Sequence, residues 1–155
     1  MKKIVFLCML MTILITISFS SYSQRTESPY KNKVWQPLNS KDGVEIYYKY
    51  EDCIDSKNGI NQEQVILKVV NTTNNNIMLS WDLEKWHEEI CDGCDPNGKD
   101  NHFTIKLKAG ETIIGGCETR LLHKELIIFS MFLDKENSHL LSQFHIKNMV
   151  INIVN

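Results

Sequence analysis

No run of basic residues occurs anywhere in the chain. A phosphate backbone needs a basic face to neutralise it, so nucleic acid is disfavoured as a partner. The same lack disfavours polybasic attachment to anionic lipid. No G-x-S-x-G elbow and no H-E-x-x-H helix is present, which removes two common hydrolase layouts. The histidines at 87, 102, 123, 139 and 145 are scattered, so sequence brings no nucleophile, base and orienting acid together. Paired glycosidase carboxylates would have to come from Glu63, Glu84, Glu88 and Glu89, in a small domain with no groove signature. There is no internal repeat, no convincing amphipathic helix, and no low-complexity tract beyond one asparagine-rich turn. The expectation is a protein that is not an enzyme and holds no cofactor.

What is present begins with Lys2 and Lys3, then an apolar stretch from Ile4 to Ile17 broken only by Thr12 and Thr16. Ser18, Ser20, Ser21 and Ser23 follow. This is the layout of a secretory signal peptide, with cleavage expected between Ser23 and Gln24. The apolar run is short for a spanning helix and has no cationic stop after it. Cys8 lies in mid-run, where lipidation has no acceptor site. Residues 1–23 are thus the signal, 24–40 a polar N-terminal arm, and 41–155 one domain. Without Lys2 and Lys3, seventeen basic side chains become fifteen against nineteen acidic, a net charge of −4. No stable membrane insertion is expected after cleavage, and the address is secreted or periplasmic.

Removing the signal turns five cysteines into four: Cys53, Cys91, Cys94 and Cys117. An even count in an exported chain reads as two disulfides, and three pairings remain open.

The domain then reads as strands. Val44, Ile46, Tyr48 and Tyr50 alternate with Glu45, Tyr47 and Lys49, the period of a half-buried strand. Residues 64–70 are rich in β-branched side chains, 71–76 (NTTNNN) are a turn, and 77–82 resume as a strand. Together these predict a hairpin with a longer loop. Residues 83–90 lean towards an extended edge, and 91–101 are a loop. Strands follow at 103–108 and 112–114. The run 125–133 (ELIIFSMFL) predicts a strand buried on both faces, and 144–154 one or two closing strands. Seven or eight short strands with evenly spaced turns predict an all-β, antiparallel β-sandwich, immunoglobulin-like in the broad sense. A small barrel is the alternative.

Several local features carry candidate chemistry. The Cys91-Asp-Gly-Cys94 pair would serve as a redox centre if its thiols were acidified. It falls in a loop rather than the strand-to-helix context of redox motifs, so a disulfide staple is the expectation. His87, Cys91, Cys94 and His102 would suit a tetrahedral zinc shell by residue type, though oxidation competes. Asp92, Asp95, Asn97 and Asp100 place oxygen ligands in one loop without the alternating spacing of a calcium site. Trp81 and Trp86 lie five apart, which in a strand points them to opposite faces. One is then core and the other a possible binding surface for carbohydrate or protein. Asn71-Thr72-Thr73 matches a glycosylation sequon.

The segments at 42–53 (DGVEIYYKYEDC), 64–86, 91–94 and 107–117 (LKAGETIIGGC) resemble a family of small secreted proteins of Bacteroidetes, especially flavobacteria. The resemblance implies an exported β-protein of a Gram-negative cell and carries over no catalytic residue. The combined expectation is a disulfide-stabilised binding or scaffolding module. Its partner would be another protein, reached through loops or an exposed edge strand. A thiol-redox or zinc protein centred on Cys91 and Cys94 is the alternative.

Overall fold

The computed structural model describes residues 33–95, 100–118, 122–135 and 140–154. The segment read as a signal peptide lies outside them. Among the described residues nine strands form two antiparallel sheets. The first holds β1 (Gln36–Lys41), β2 (Val44–Asp55), β3 (Ile60–Asn71), β7 (Thr112–Ile114) and β8 (Ile127–Phe132). The second holds β4 (Ile77–His87), β5 (Ile90–Asp92), β6 (His102–Leu107) and β9 (Leu141–Ile153). β1, β2 and β3 run as a meander, and β7 and β8 share the far side of β3. β4 is the spine of the second sheet, with β9 along one side and β5 and β6 along the other. This order is all-β and antiparallel; by itself it does not show an immunoglobulin topology.

β1 takes in residues read from sequence as the end of the arm. Asp42 and Gly43 link it to β2 with φ of 47° and 78°. Two left-handed residues make the tight turn whose twist matches paired strands. β3 is the strand covered on both faces, since residues 63–67 are all buried.

Two sequence expectations are corrected. Residues 64–70 and 77–82 do not form a hairpin: β3 pairs with β2, β7 and β8, while β4 pairs with β5, β6 and β9. The asparagine-rich turn carries the chain from one sheet to the other. Asn71 holds it there, fully buried, donating to the carbonyls of Asn75 at 2.8 Å and Lys108 at 2.7 Å. Alternation reports which side of a strand is apolar, not which strand lies beside it. The second correction concerns residues 125–133. They form a 3₁₀ turn (Lys124–Leu126) and then β8, which pairs on one side only and buries just Ile128 and Ser130 fully.

The core lies between the sheets. Val44, Ile46, Val65, Leu67 and Val69 from the first sheet meet Ile77, Leu79, Trp81 and Leu83 from the second. Each of these is at most 2 % exposed, and full burial of an aliphatic side chain stabilises by roughly 1.5–3 kcal/mol. The Trp81 Nε1 has no hydrogen-bond partner among the described residues.

Candidate functional site

Alternation along β4 sends Leu79, Trp81 and Leu83 inward and leaves Ser80, Asp82, Glu84 and Trp86 on the outer face. β6 and β9 flank that face and set its partners by register. His102 pairs with Asp82 across β6, and His145 and Lys147 lie opposite Glu84 and Asp82 across β9. Asp82 Oδ1 is 2.7 Å from His102 Nδ1, and its Oδ2 accepts from Asn148 Nδ2 at 2.7 Å. The Asn148 amide and then the His102 ring hold the Asp82 carboxyl below the usual carboxylate range. Lys147 Nζ meets Glu84 Oε2 at 2.6 Å. The Trp86 indole stands edge-on to the His145 ring, centroids 5.0 Å apart.

A stapled loop walls this face. Cys91 lies opposite Trp86 in the β4–β5 ladder and is bridged to Cys94, with Cα atoms 5.8 Å apart. Asp92 between them meets Lys85 Nζ at 2.7 Å and accepts from Asn101 Nδ2 at 2.8 Å. Lys85 first, and Asn101 after it, keep the Asp92 carboxyl below its ordinary range. Leu83 N–H donates to the Asn101 carbonyl at 2.9 Å, fastening the far end of the loop to β4. Gly93 has φ of 89°, and a Cβ there would run into the Leu83 carbonyl oxygen. The loop thus presses on β4 where only glycine fits. Asp82, Glu84, Lys147 and Asn148 from the sheet, with Cys94 and Asp95 from the loop, line a depression of about 180 Å³.

The other sequence candidates fall elsewhere. The zinc set is not assembled: both cysteines are in the bridge, His87 stacks on Phe129 at 6.0 Å, and His102 is on Asp82. Among the described residues no group of three or more metal-ligating side chains comes together. The calcium reading loses Asp92 to Lys85 and Asn101, and Asn97 lies outside the described residues. Trp81 is fully buried beside Phe103, and Trp86 is half-buried. Glu63 accepts from Ser130 at 2.9 Å in the first sheet, whereas Glu84 belongs to the second. Asn71 spends its amide inside the fold, so the sequon is a structural element there. His139 lies outside the described residues. Asp82, Lys147 and Asn148 were not singled out by sequence, and Glu84 and His145 were named there only among the carboxylates and scattered histidines, not as neighbours. The polar alternation at 82 and 84 was visible, but the register that adds 145–148 was not.

The remaining bridge joins Cys53 of β2 to Cys117 after β7, with Cα atoms 5.5 Å apart. Two disulfides fit an oxidising compartment. No helix among the described residues is long and apolar enough to cross a membrane. No family model, no curated protein and no solved structure matches this chain.

Proposed function

We propose that this chain is an exported, periplasmic or secreted binding module that engages another protein without catalysing a reaction. Its sandwich would be immunoglobulin-like only in the broad sense of two stacked antiparallel sheets. The observation that carries this reading is the stapled wall on the outer face of the second sheet. The Cys91–Cys94 bridge, Asp92 and the fit of Gly93 hold residues 91–95 against β4, beside a polar depression and the half-buried Trp86. A preorganised concave surface with an aromatic at its margin is suited to recognition. The two disulfides support the compartment, as do the signal-like N-terminus and the resemblance to small secreted proteins of Bacteroidetes.

The redox alternative meets a physical obstacle. Asp92 lies between the two cysteines and Asp95 follows the second, and carboxylates beside a thiol disfavour its thiolate. Photo-crosslinking in the exporting host tests the binding reading, with the crosslinker placed at Trp86 and, as control, at Lys49 on the first sheet. A discrete heterologous adduct is expected from position 86 only. Dithiol turnover by the purified protein, with no adduct from position 86, would overturn it.

A further inference from the structure

The hairpin joining β2 to β3 turns through Ser56, Lys57, Asn58 and Gly59, between the paired residues Asp55 and Ile60. Its hydrogen bonds converge on Asp55. Asp55 Oδ1 accepts from the backbone N–H groups of Lys57 at 3.1 Å and Asn58 at 3.3 Å, and Oδ2 accepts from Asn58 Nδ2 at 2.6 Å. The Asn58 N–H also donates to the Asp55 carbonyl at 3.1 Å. An aspartate that clasps the backbone two residues on is a common way to fix a turn. Gly59 takes no part in the clasp. Its N–H has no acceptor among the described residues, and no atom lies within 4 Å of where a Cβ would stand. Asn58 itself is exposed.

This arrangement leaves one reaction open. The side-chain carbon of an asparagine and the backbone nitrogen that follows it are the two ends of a five-membered ring. A side chain on the following residue hinders closure, and a hydrogen bond from that nitrogen restrains it. Neither obstacle is present at Asn58 and Gly59. Asn71 is the contrast. It is fully buried, its amide donates to two carbonyls, and the Thr72 N–H behind it donates to the Gly43 carbonyl at 2.8 Å.

We propose that Asn58–Gly59 is a modification site, at which the folded chain converts asparagine to isoaspartate without an enzyme. The Gly59 nitrogen attacks Asn58 Cγ. The N–Cγ bond forms, the Cγ–Nδ2 bond breaks, and Nδ2 leaves as ammonia, carrying the proton of the Gly59 amide. Water then opens the cyclic imide. Addition at the Asn58 backbone carbonyl carbon gives an isoaspartyl linkage, and addition at Cγ gives aspartate. Either product replaces the Nδ2 donor by a carboxylate beside Asp55. The 2.6 Å bond is lost and two negative charges face each other across the turn. The modification thus loosens the tip of the hairpin and adds one negative charge there, with the β2–β3 ladder intact.

The purified chain, with both disulfides intact, is held at neutral and at mildly alkaline pH and sampled by peptide mapping with electron-transfer fragmentation. Isoaspartate is expected at 58 in excess of aspartate, forming faster at the higher pH because the Gly59 N–H must lose its proton. Asn71 should stay unmodified. Backbone amide shifts in the converted chain should be confined to residues 54–61. Gly59→Ala should slow the conversion about tenfold, since a methyl group then crowds the attacking nitrogen. Asn58→Gln, in which closure needs a six-membered ring, should remain unmodified over the same period. An Asn58 that stays intact in the folded chain, an unchanged rate in Gly59→Ala, or conversion of Asn71 as fast as that of Asn58 would each overturn the proposal.

Discussion

Asp82 accepts from two strands at once, His102 on β6 and Asn148 on β9, and so ties three strands together on the outer face. Because its folded pKa is depressed, its contribution is complete above the unfolded value of about 3.9. It is lost as pH falls through the lower folded value. Asp82→Asn should therefore be less stable than the parent at neutral pH, and the difference should close under acid. Denaturation midpoints measured from pH 7 down to 2 check this, and a gap independent of pH would refute it. The side chain is about a third exposed, so added salt should narrow the gap. Gly93 makes a second residue-scale claim. Its φ of 89° and its approach to the Leu83 carbonyl leave no room for a methyl group. Gly93→Ala should cost about 2 kcal/mol or more in chemical denaturation. Amide shifts should be confined to residues 83–101. At this scale the sequence was informative where parity decided the answer. The spacing of Trp81 and Trp86 put them on opposite faces, and the structure has one at 0 % exposure and the other half-buried. The acidic and basic groups around Trp86 stayed hidden because they meet through register between distant strands.

The strands themselves differ in what holds them. β5 is three residues long and pairs only with β4, so its place depends on the Cys91–Cys94 bridge, Lys85–Asp92 and the Asn101 contacts. β2 is twelve residues long and laddered along its whole length to β3. Its bridge to Cys117 spans 64 residues, against 3 for Cys91–Cys94. Restricting the unfolded chain by loops of those sizes corresponds to about 4 and about 2 kcal/mol respectively. The double variant Cys53→Ala/Cys117→Ala should therefore lose about twice the stability of Cys91→Ala/Cys94→Ala. Urea unfolding measures both. A larger loss from the short bridge would contradict this order. Strand existence was readable from alternation for β2, β4 and β6, where apolar and polar residues take turns. β1 was not readable, because Pro37, Asn39, Ser40 and Lys41 have low strand propensity. Asp42-Gly43 was the signal that would have found it. The apolar run at 125–133 misled in the opposite direction. β8 pairs with β3 alone and is bulged against it near Phe129 and Met131, so it stands at a margin of the sheet with Ile127, Phe129, Met131 and Phe132 half-buried.

Across the whole molecule the two bridges sit in unlike surroundings. Cys94 is exposed on the loop after β5, and Cys91 within β5 is half-buried. Cys53 is 2 % exposed, and the Cys117 sulfur lies 3.5 Å from a Glu51 carboxylate oxygen. Reduction proceeds by attack of an external thiolate on one sulfur. At Cys94 the attacker meets solvent. At Cys53 it meets packed side chains, and at Cys117 a negative charge repels it. Mild thiol reductant acting on the folded protein should therefore free Cys91 and Cys94 first, while far-ultraviolet circular dichroism keeps the β-signal of the two intact sheets. Cys53 and Cys117 should become reducible only when denaturant opens the sheets. Alkylation followed by peptide mass mapping at each step reads the order directly. The same experiment separates the roles of the two crosslinks. Loss of the outer one should disorder the wall of the depression and weaken binding at Trp86 with the core intact. Loss of the inner one should lower the stability of the whole fold and leave the depression no more affected than the rest. Simultaneous release of all four thiols under native conditions would mean that the first sheet opens as readily as the loop, and that burial does not protect its bridge.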